Sequence, residues 1–455
     1  MSYQTKNQKK LNAIEQLNVV EMFAGVGGFR LGLEAVHASP FAVTLSNQFE
    51  PSRRVQHASK IYQNHWPDGV HLNEDITAVL ASEEGQQAIR DAAPDLLVGG
   101  FPCQDYSVAK PLSHSRGIDG KKGTLWWSIA KLLQQRQDDG QPVKYVILEN
   151  VDRLLSSPAS CRGRDFSVVL STLNALGYAV EWRVVNAADY GAGQRRRRVF
   201  IVAYHATTGL NQRMASVCAS SLVNWHRAAV LSAAFPSSLK NPCEALSPCC
   251  TVDKDVFTQQ CSYKPLSNGQ PRFANAGLMF GGQVWSSAVT ADSIADYSEF
   301  TGYSAPQTLG DVVRKTSIVP TAFYVRPDSE DKWRAAKAAK NIPRNANGFS
   351  YAYSEGAMAF PDSLDKPSRT IITSEGGISA TRTKHVIREA SGRLRRLIPE
   401  ELEELNGFPR GFTGMTGTSD TIRAMLMGNA LVVSLVTRIG NALVRALSKT
   451  EPDSR

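Results

Sequence analysis

Short apolar runs alternate with amphipathic segments through the first part of the chain. The runs predict buried strands that end at Phe23, Val98 and Leu148, and further strands over 42–50, 178–185 and 199–204. Between them, residues 125–135 and 166–177 have the spacing of helices, and a short basic helix is predicted over 4–17. Strands alternating with helices are typical of an α/β fold built on a doubly wound, largely parallel sheet.

This alternation stops near Tyr204. The following residues are rich in Gly, Pro, Ser and Asn and predict a smaller, irregular domain. Periodicity returns at 393–409, where Pro399 suits a first helical turn and Gly407 a helix end, and an apolar helix follows within 421–447. The predicted divisions are residues 1–204, 205–385 and 386–455, the last returning to complete the first domain.

Composition narrows the class of protein. With 42% hydrophobic and 20% charged residues among 455, the chain is typical of a soluble globular protein. No uninterrupted apolar run reaches the roughly 20 residues that span a bilayer, and the polar N-terminus predicts no secretory signal. A formal net charge of +9 suits a polyanionic partner. The seven cysteines form no CxxC pair, and the spacing of Cys243, Cys249, Cys250 and Cys261 matches no standard zinc pattern, so we predict a reducing cytoplasm and no metal.

A glycine-rich loop, 23–28, follows the first strand and leads into a helix near Phe29. Glycines allow close approach to the backbone, and a helix start offers free N–H donors, so the loop is a candidate nucleotide-type site. Its spacing is not GxGxxG, and a merely tight turn is the alternative. The second strand ends in Gln48, where a polar side chain typically contacts a ribose, and Phe49 suits either stacking on an adenine or core packing.

A second glycine-rich turn presents Cys103 directly after Pro102, beyond the end of a buried strand. Proline restricts this turn, so the thiol is a candidate nucleophile, with a buried structural cysteine as the alternative. Glu149 ends another buried strand, where a carboxylate is costly without partners. Residues 195–198 are four arginines entering a strand, and alternation places Arg196 and Arg198 on the side of Gln194. The basic loop 108–123 suits a phosphate backbone or plain solvent.

Six short sequence motifs, taken together, resemble those of a known protein family. FAGVGG, GGFPCQ, ENV, QRRRR, RRLIPEELEELNGFP and GNAL, in this order, resemble the cytosine-5 DNA methyltransferase family of prokaryotic type, over 19–204 and 393–445. The resemblance implies a Rossmann-like domain that binds S-adenosyl-L-methionine and a smaller target-recognition domain. It also implies a cytoplasmic, nucleoid-associated monomer that methylates double-stranded DNA sequence-specifically. Such an enzyme modifies host DNA in a restriction or phage-defence system, with a cognate endonuclease acting separately.

The resemblance assigns catalytic roles residue by residue. Cys103 is the nucleophile on carbon 6 of a flipped-out cytosine, and Glu149 holds and helps protonate ring nitrogen 3. Arg198 contacts the cytosine carbonyl oxygen, with support from Gln194 and Arg196. Asn150 buttresses the turn at Pro102 and Cys103. DNA contacts are expected from Thr370, Ile371, Gln104, Ser107, Lys110 and Arg116.

The resemblance also implies a cofactor pocket. Phe49 would stack on adenine and Asp75 would bond its exocyclic amine. The other residues of the implied pocket are Phe23, Ala24, Gly25, Val26, Gly27, Gly28, Gln48, Ile76, Pro102, Leu125, Asn429 and Ala430. One departure concerns Gln48, because the family usually has a glutamate there that bonds both ribose hydroxyls. Glutamine can accept one such bond and donate another, and Glu50 is the alternative acceptor.

Two other functions compete with this one. A related branch of tRNA-cytosine methyltransferases shares these blocks, but its recognition region is much smaller than 205–385. A catalytically inactive DNA-binding protein is the other alternative, and the presence of Cys103, Glu149 and Arg198 argues against it.

Overall fold

The computed structural model describes residues 15–101, 125–220, 229–241, 247–294, 297, 305–346 and 349–449. Their contacts divide the chain into two compact units. The first unit comprises 1–186, 197–295 and 433–455, and the second comprises 187–196 and 296–432.

The first unit is organised around one large mixed sheet. Its strands are β1 Leu17–Met22, β2 Phe41–Asn47, β3 Val70–Leu72, β4 Leu96–Gly100, β5 Tyr145–Asn150, β6 Tyr178–Asn186, β7 Arg197–His205, β8 Ser237–Leu239, β9 Cys250–Thr251, β10 Ala276–Phe280, β11 Gln283–Ser287 and β12 Val289–Ala291. Within the described residues, ten of them join in the order β3-β2-β1-β4-β5-β7-β6-β10-β11-β9, and β8 pairs with β12. The half from β3 to β5 is parallel, and β7, β6, β10, β11 and β9 continue it antiparallel.

Helices cover this sheet. They are α1 Gly28–Glu34, α2 His57–His65, α3 Ile76–Val79, α4 Glu83–Ala92, α5 Leu125–Asp138, α6 Arg164–Ala175, α7 Gly209–Ser220, α8 Val230–Ala234 and α9 Val256–Ser262. The main core lies beneath them, where Trp126 of α5 and Phe166 of α6 are fully buried with the apolar residues of β4 and β5. Strands covered on both faces are expected to be continuously apolar, which is why the sequence pattern located them.

The division at residue 295 differs from the boundary predicted at 204. Residues 206–295 belong to the first unit because β10 pairs antiparallel with β6 and carries the sheet outward. Gly277 permits this pairing, since the position of a side chain there is filled by the ring of Trp182. The strands of this segment are short and lie between loops, so they have too few positions to show a period.

The second unit contains two hairpins and several short helices. Its elements are α10 Leu309–Val313, α11 Glu330–Lys337, β13 Lys340–Ala346, β14 Phe349–Glu355, β15 Val386–Arg388, β16 Leu394–Arg396, α12 Pro399–Leu405 and α13 Asp420–Asn429. β13 pairs with β14, and β15 with β16. Buried Arg395 of β16 pairs with Glu401 of α12 at 2.8 Å, and Glu401 also accepts the backbone N–H of Ile398. This ion pair fixes β16 to the start of α12.

The last helix, α14 Val433–Leu447, packs on α1 in the first unit. Gly32 of α1 allows close approach, because a side chain there would overlap Val436. The Thr437 hydroxyl donates to the Gly32 carbonyl oxygen at 2.9 Å. Among the described residues, 420–447 is the one helical stretch long and apolar enough by composition to cross a membrane. It is 72% buried within the protein over its apolar window, which is the position of a core helix.

Candidate active site

An ion pair lies where β5 and β7 meet. Glu149, next to the end of β5, pairs with Arg198 of β7, and the Arg198 Nε to Glu149 Oε1 distance is 2.8 Å. The side chains are only 13% and 16% exposed, respectively. Gly100, which ends β4, is in register with Glu149, and a side chain at Gly100 would lie 3.3 Å from Glu149 Oε2. The pair therefore lies beside the last residue of β4.

Asn150 connects this strand end to the residue that follows β4. Its Nδ2 donates to the Phe101 carbonyl oxygen at 3.2 Å, and its Oδ1 accepts the Val151 N–H at 2.8 Å. The side chain is almost fully buried. Asn150 thus fixes Phe101, the last described residue before Pro102. Six predicted site residues, Pro102, Cys103, Gln104, Ser107, Lys110 and Arg116, lie outside the described residues.

The glycine loop adopts the unusual backbone that its sequence suggests. Gly25 and Gly27 both have positive φ, at 57° and 91°, as does Phe23 at 56°. Gln48 holds the loop directly, because its Oε1 accepts the Gly25 N–H at 2.8 Å. Among the described residues, no atom lies within 4 Å of the position that a Gly25 side chain would take, so that part of the structure leaves the loop open there. The loop therefore has a bonded base and an open face of the kind a ligand needs.

The other predicted cofactor residues of the first unit differ in how deeply they are buried and in the contacts that they make within the protein. Phe49 is half-buried and lies two residues beyond the end of β2. Asp75 caps α3, and its Oδ1 accepts the Thr77 N–H at 2.8 Å. Ile76 is buried in the main core, and Leu125 packs against that core. Ala24, Val26 and Gly28 of the loop are buried.

Gln194 and Arg196 bind neighbours inside the second unit. Gln194 is fully buried; its Oε1 accepts the Ile371 N–H at 2.9 Å, and its Nε2 donates to Asn406 Oδ1 at 2.9 Å. Arg196 donates to the carbonyl oxygens of Ile371 and Gly428 at 3.0 and 3.1 Å. These two side chains anchor the segment around Ile371.

Thr370 and Ile371 are held in this same segment by a hydrogen bond and by burial. The Thr370 hydroxyl donates to the Arg195 carbonyl oxygen at 2.5 Å, and Ile371 is fully buried. Asn406 was not singled out from the sequence, although it lies within the LNGFP block that carries the resemblance. Asn429 and Ala430 end α13, where Asn429 is exposed and the Ala430 N–H donates to the Leu426 carbonyl oxygen at 2.9 Å.

Known proteins match this chain over most of its length. A family model described as C-5 cytosine-specific DNA methylase matches residues 17–247 and 292–445. The type II methyltransferase M.Sau3AI of Staphylococcus aureus is 41% identical over 442 residues, which is 97% of this chain and 98% of the relative. The type II methyltransferase M.HgiBI of Herpetosiphon aurantiacus is 37% identical over 44% of this chain and 39% of its own length.

Solved structures agree on the fold. The S. pombe Dnmt2 methyltransferase has a TM-score of 0.54 and 13% identity, over 95% of this chain and 99% of its own. The Entamoeba histolytica methyltransferase EhMeth has a TM-score of 0.53 and 14% identity over the same shares. These likenesses support the Rossmann-like methyltransferase fold predicted from the sequence. Since the family model and M.Sau3AI each cover most of this sequence, the chain belongs to the C-5 cytosine-specific DNA methylases.

Proposed function

We propose that this DNA cytosine-5 methyltransferase transfers a methyl group from S-adenosyl-L-methionine to a flipped-out cytosine through a covalent Cys103 adduct. The observation that carries the proposal is the Glu149–Arg198 ion pair, which is mostly buried and in register with the glycine before the Cys103 turn. An acid and a guanidinium side by side match the ring nitrogen and carbonyl oxygen of a cytosine edge.

The chemistry follows from the weak nucleophilicity of carbon 5 in cytosine. The Cys103 thiolate adds to carbon 6, while Glu149 delivers a proton to ring nitrogen 3 and so favours the addition. Arg198 donates to the carbonyl oxygen and holds the ring in place. The resulting enamine makes carbon 5 nucleophilic. After methylation, a base removes the carbon 5 proton. Cys103 then leaves as a thiolate while ring nitrogen 3 returns its proton to Glu149, and these losses restore the aromatic ring. Both reacting carbons are inaccessible in a stacked duplex, so the base must be flipped out, at a cost of a few kcal/mol.

The residues of the first unit fit the cofactor. S-Adenosyl-L-methionine supplies an electrophilic methyl group on a sulfonium. The open face at Gly25 has room for a ligand against the backbone. Within the described part of the chain, Gln48 bonds through its Oε1 to Gly25, which leaves its Nε2 donors for a ribose hydroxyl. Phe49, half-buried beside it, offers an aromatic face for adenine.

The biological setting is inferred from the relatives. M.Sau3AI, a type II methyltransferase, aligns over 98% of its length, which supports host DNA modification within a restriction or phage-defence system. We propose double-stranded DNA as the substrate, a cognate endonuclease acting separately, and a monomeric enzyme, which suffices to methylate one strand at a time.

Bisulfite sequencing tests the proposal. Genomic DNA from a methylation-free host expressing the chain should show protected cytosines within one short motif, and a host expressing Cys103→Ser should show none. Protection that persists in the serine variant would refute the covalent mechanism. Methyl transfer to tRNA but not to duplex DNA would favour the tRNA branch instead.

A further inference from the structure

We propose that Glu21 is a positioning residue for the glycine loop, and that ionisation of its carboxylate strengthens cofactor binding. This inference rests on the proposed function for the identity of the cofactor. It goes beyond that function because Glu21 contributes to the loop from behind and carries no role in the chemistry.

Glu21 faces residues on both sides of the loop. It lies in β1, shortly before Phe23, and is fully buried. The charge of Arg30, in the first turn of α1 beyond the loop, acts on the carboxylate and favours its ionised form. The carboxylate therefore couples the end of β1 to the start of α1 through electrostatic attraction.

The same carboxylate holds the support on which the loop packs. The Tyr62 hydroxyl of α2 donates to Glu21 Oε2 at 2.9 Å. Tyr62 lies against Trp66, with ring centroids 4.7 Å apart. Both rings fill the space behind Gly27, where a side chain would lie 2.3 Å from Trp66 and 3.2 Å from Tyr62. Moving either ring would therefore move the loop.

A cation completes the support. The Arg30 guanidinium lies 4.7 Å from the Trp66 ring centroid and 5.8 Å from that of Tyr62. Glu34 accepts from Arg30 Nε at 2.8 Å and from Trp66 Nε1 at 3.2 Å. The side chains of α1 and α2 thus form one bonded stack behind the loop.

Glu21 has the surroundings of a group that titrates near neutrality. Burial raises its pKa to about 7, against the opposing effects of the Tyr62 hydrogen bond and the Arg30 charge. Its Oε1 has no hydrogen-bond partner among the described residues, so a proton can be carried there. The charged and titratable groups that face it are Arg30 and Glu34 on α1 and Tyr62 on α2.

The neighbouring strands do not supply an alternative titrating group. Ser46 of β2 and Val98 of β4, the register partners of Glu21, are uncharged. His71 of β3 stacks on Tyr62 at 4.8 Å, but burial lowers its pKa to about 4, so it stays neutral from pH 5.5 upward. Protonation of Glu21 weakens its acceptance from Tyr62 and its attraction to Arg30, and so loosens the loop.

Cofactor affinity as a function of pH tests the inference. We would measure the Kd of S-adenosyl-L-methionine and of S-adenosylhomocysteine by calorimetry between pH 5.5 and 8.5. For the wild type, both Kd values should rise as the pH falls below about 7, by at most about tenfold per pH unit because a single proton is involved. Glu21→Gln should bind weakly with a flat profile. At saturating cofactor its kcat should match the wild type, with the loss confined to KM.

Tyr62→Phe is the second variant. It tests the role of Glu21 by itself if Glu21→Gln does not fold. It keeps the ring stack but removes the hydroxyl donor, so the midpoint of the wild-type profile should move to higher pH. Tyr178→Phe is the matched control, because its buried hydroxyl donates to the Val143 carbonyl oxygen at 2.6 Å, away from Glu21. It should keep the wild-type profile.

Three results would overturn the inference: a Gln variant with the wild-type pH profile, an unshifted midpoint in Tyr62→Phe, or a response of the sulfonium cofactor alone. The last would make Glu21 a counter-charge and not a positioning residue. DNA methylation by the wild type at pH 8 separates the two hypotheses. If the enzyme methylates DNA but its cofactor affinity does not change with pH, only this inference is refuted. If the chain binds neither S-adenosyl-L-methionine nor S-adenosylhomocysteine, the proposed function is refuted as well.

Discussion

The buried carboxylate of Glu21 also has a consequence for stability that can be calculated. Burial raises its pKa from an ordinary value near 4.5 to about 7, so the folded protein binds this proton more tightly than the unfolded chain. The associated stability is fully present below pH 4.5 and is lost as the pH rises through 7. A difference of this size corresponds to about 3 kcal/mol in total, of which about 2 kcal/mol falls between pH 5.5 and 8.0.

Urea unfolding of the wild type and of Glu21→Gln at these two pH values isolates the contribution. The glutamine is neutral throughout, so the stability of the wild type relative to the variant should fall by about 2 kcal/mol from pH 5.5 to 8.0. Titration of all other groups cancels in this difference. Glu34→Gln, which removes the partly exposed carboxylate of the same stack, is the matched control.

A relative stability that stays constant within about 0.5 kcal/mol would refute the reasoning, because Glu21 would then titrate alike in the folded and unfolded states. The opposite slope would mean that the Tyr62 hydrogen bond and the Arg30 charge outweigh burial. Unfolding should be followed by the fluorescence of Trp66 and Trp126, both in the first unit, because two units need not unfold together.

Three further predictions concern other contacts of the candidate site. Gln48→Leu removes the acceptor of the Gly25 N–H and should weaken cofactor binding by roughly tenfold or more in calorimetry, whereas Gln48→Glu should not. Glu149→Gln should lower the rate of tritiated methyl transfer by roughly 10²-fold or more, with unchanged thermal unfolding; a full rate would contradict its assigned role. Gln194→Leu leaves the buried Ile371 N–H without its acceptor and should destabilise the second unit by about 2 kcal/mol in urea unfolding; an unchanged midpoint would contradict its role as an anchor.

The sequence predicted the central strands well because they are covered on both faces. The apolar run ending at Leu148 corresponds to β5, and the helix expected over 166–177 corresponds to α6 Arg164–Ala175. Alternation along the arginine run is also seen, since Gln194 and Arg196 are buried while Arg195 and Arg197 are exposed. Patterns of period two and 3.6 depend on burial, and here burial is nearly complete.

The same patterns could not reveal which distant segments meet. Alternation placed Gln194 and Arg196 beside Arg198, but their hydrogen bonds go to Ile371, Asn406 and Gly428, more than 170 positions away. The sequence pattern did not identify Glu21 as a site residue, because a single charged residue does not disturb the apolar run of β1. Its partners lie on separate helices, and no local spacing connects them to the loop.

The packing of α14 against α1 has a consequence for how the enzyme is made. Thr437 and Gly32 are 405 residues apart, yet their bond helps to seal the helix that follows the glycine loop. During translation, α1 therefore leaves the ribosome long before its packing partner exists, and contacts of such separation form late in folding. A nascent chain stalled before α14 would present an unsealed α1, so the helix that follows the glycine loop is packed only once residues 433–447 have been made. Synthesis of the glycine loop and its full support are therefore separated in time.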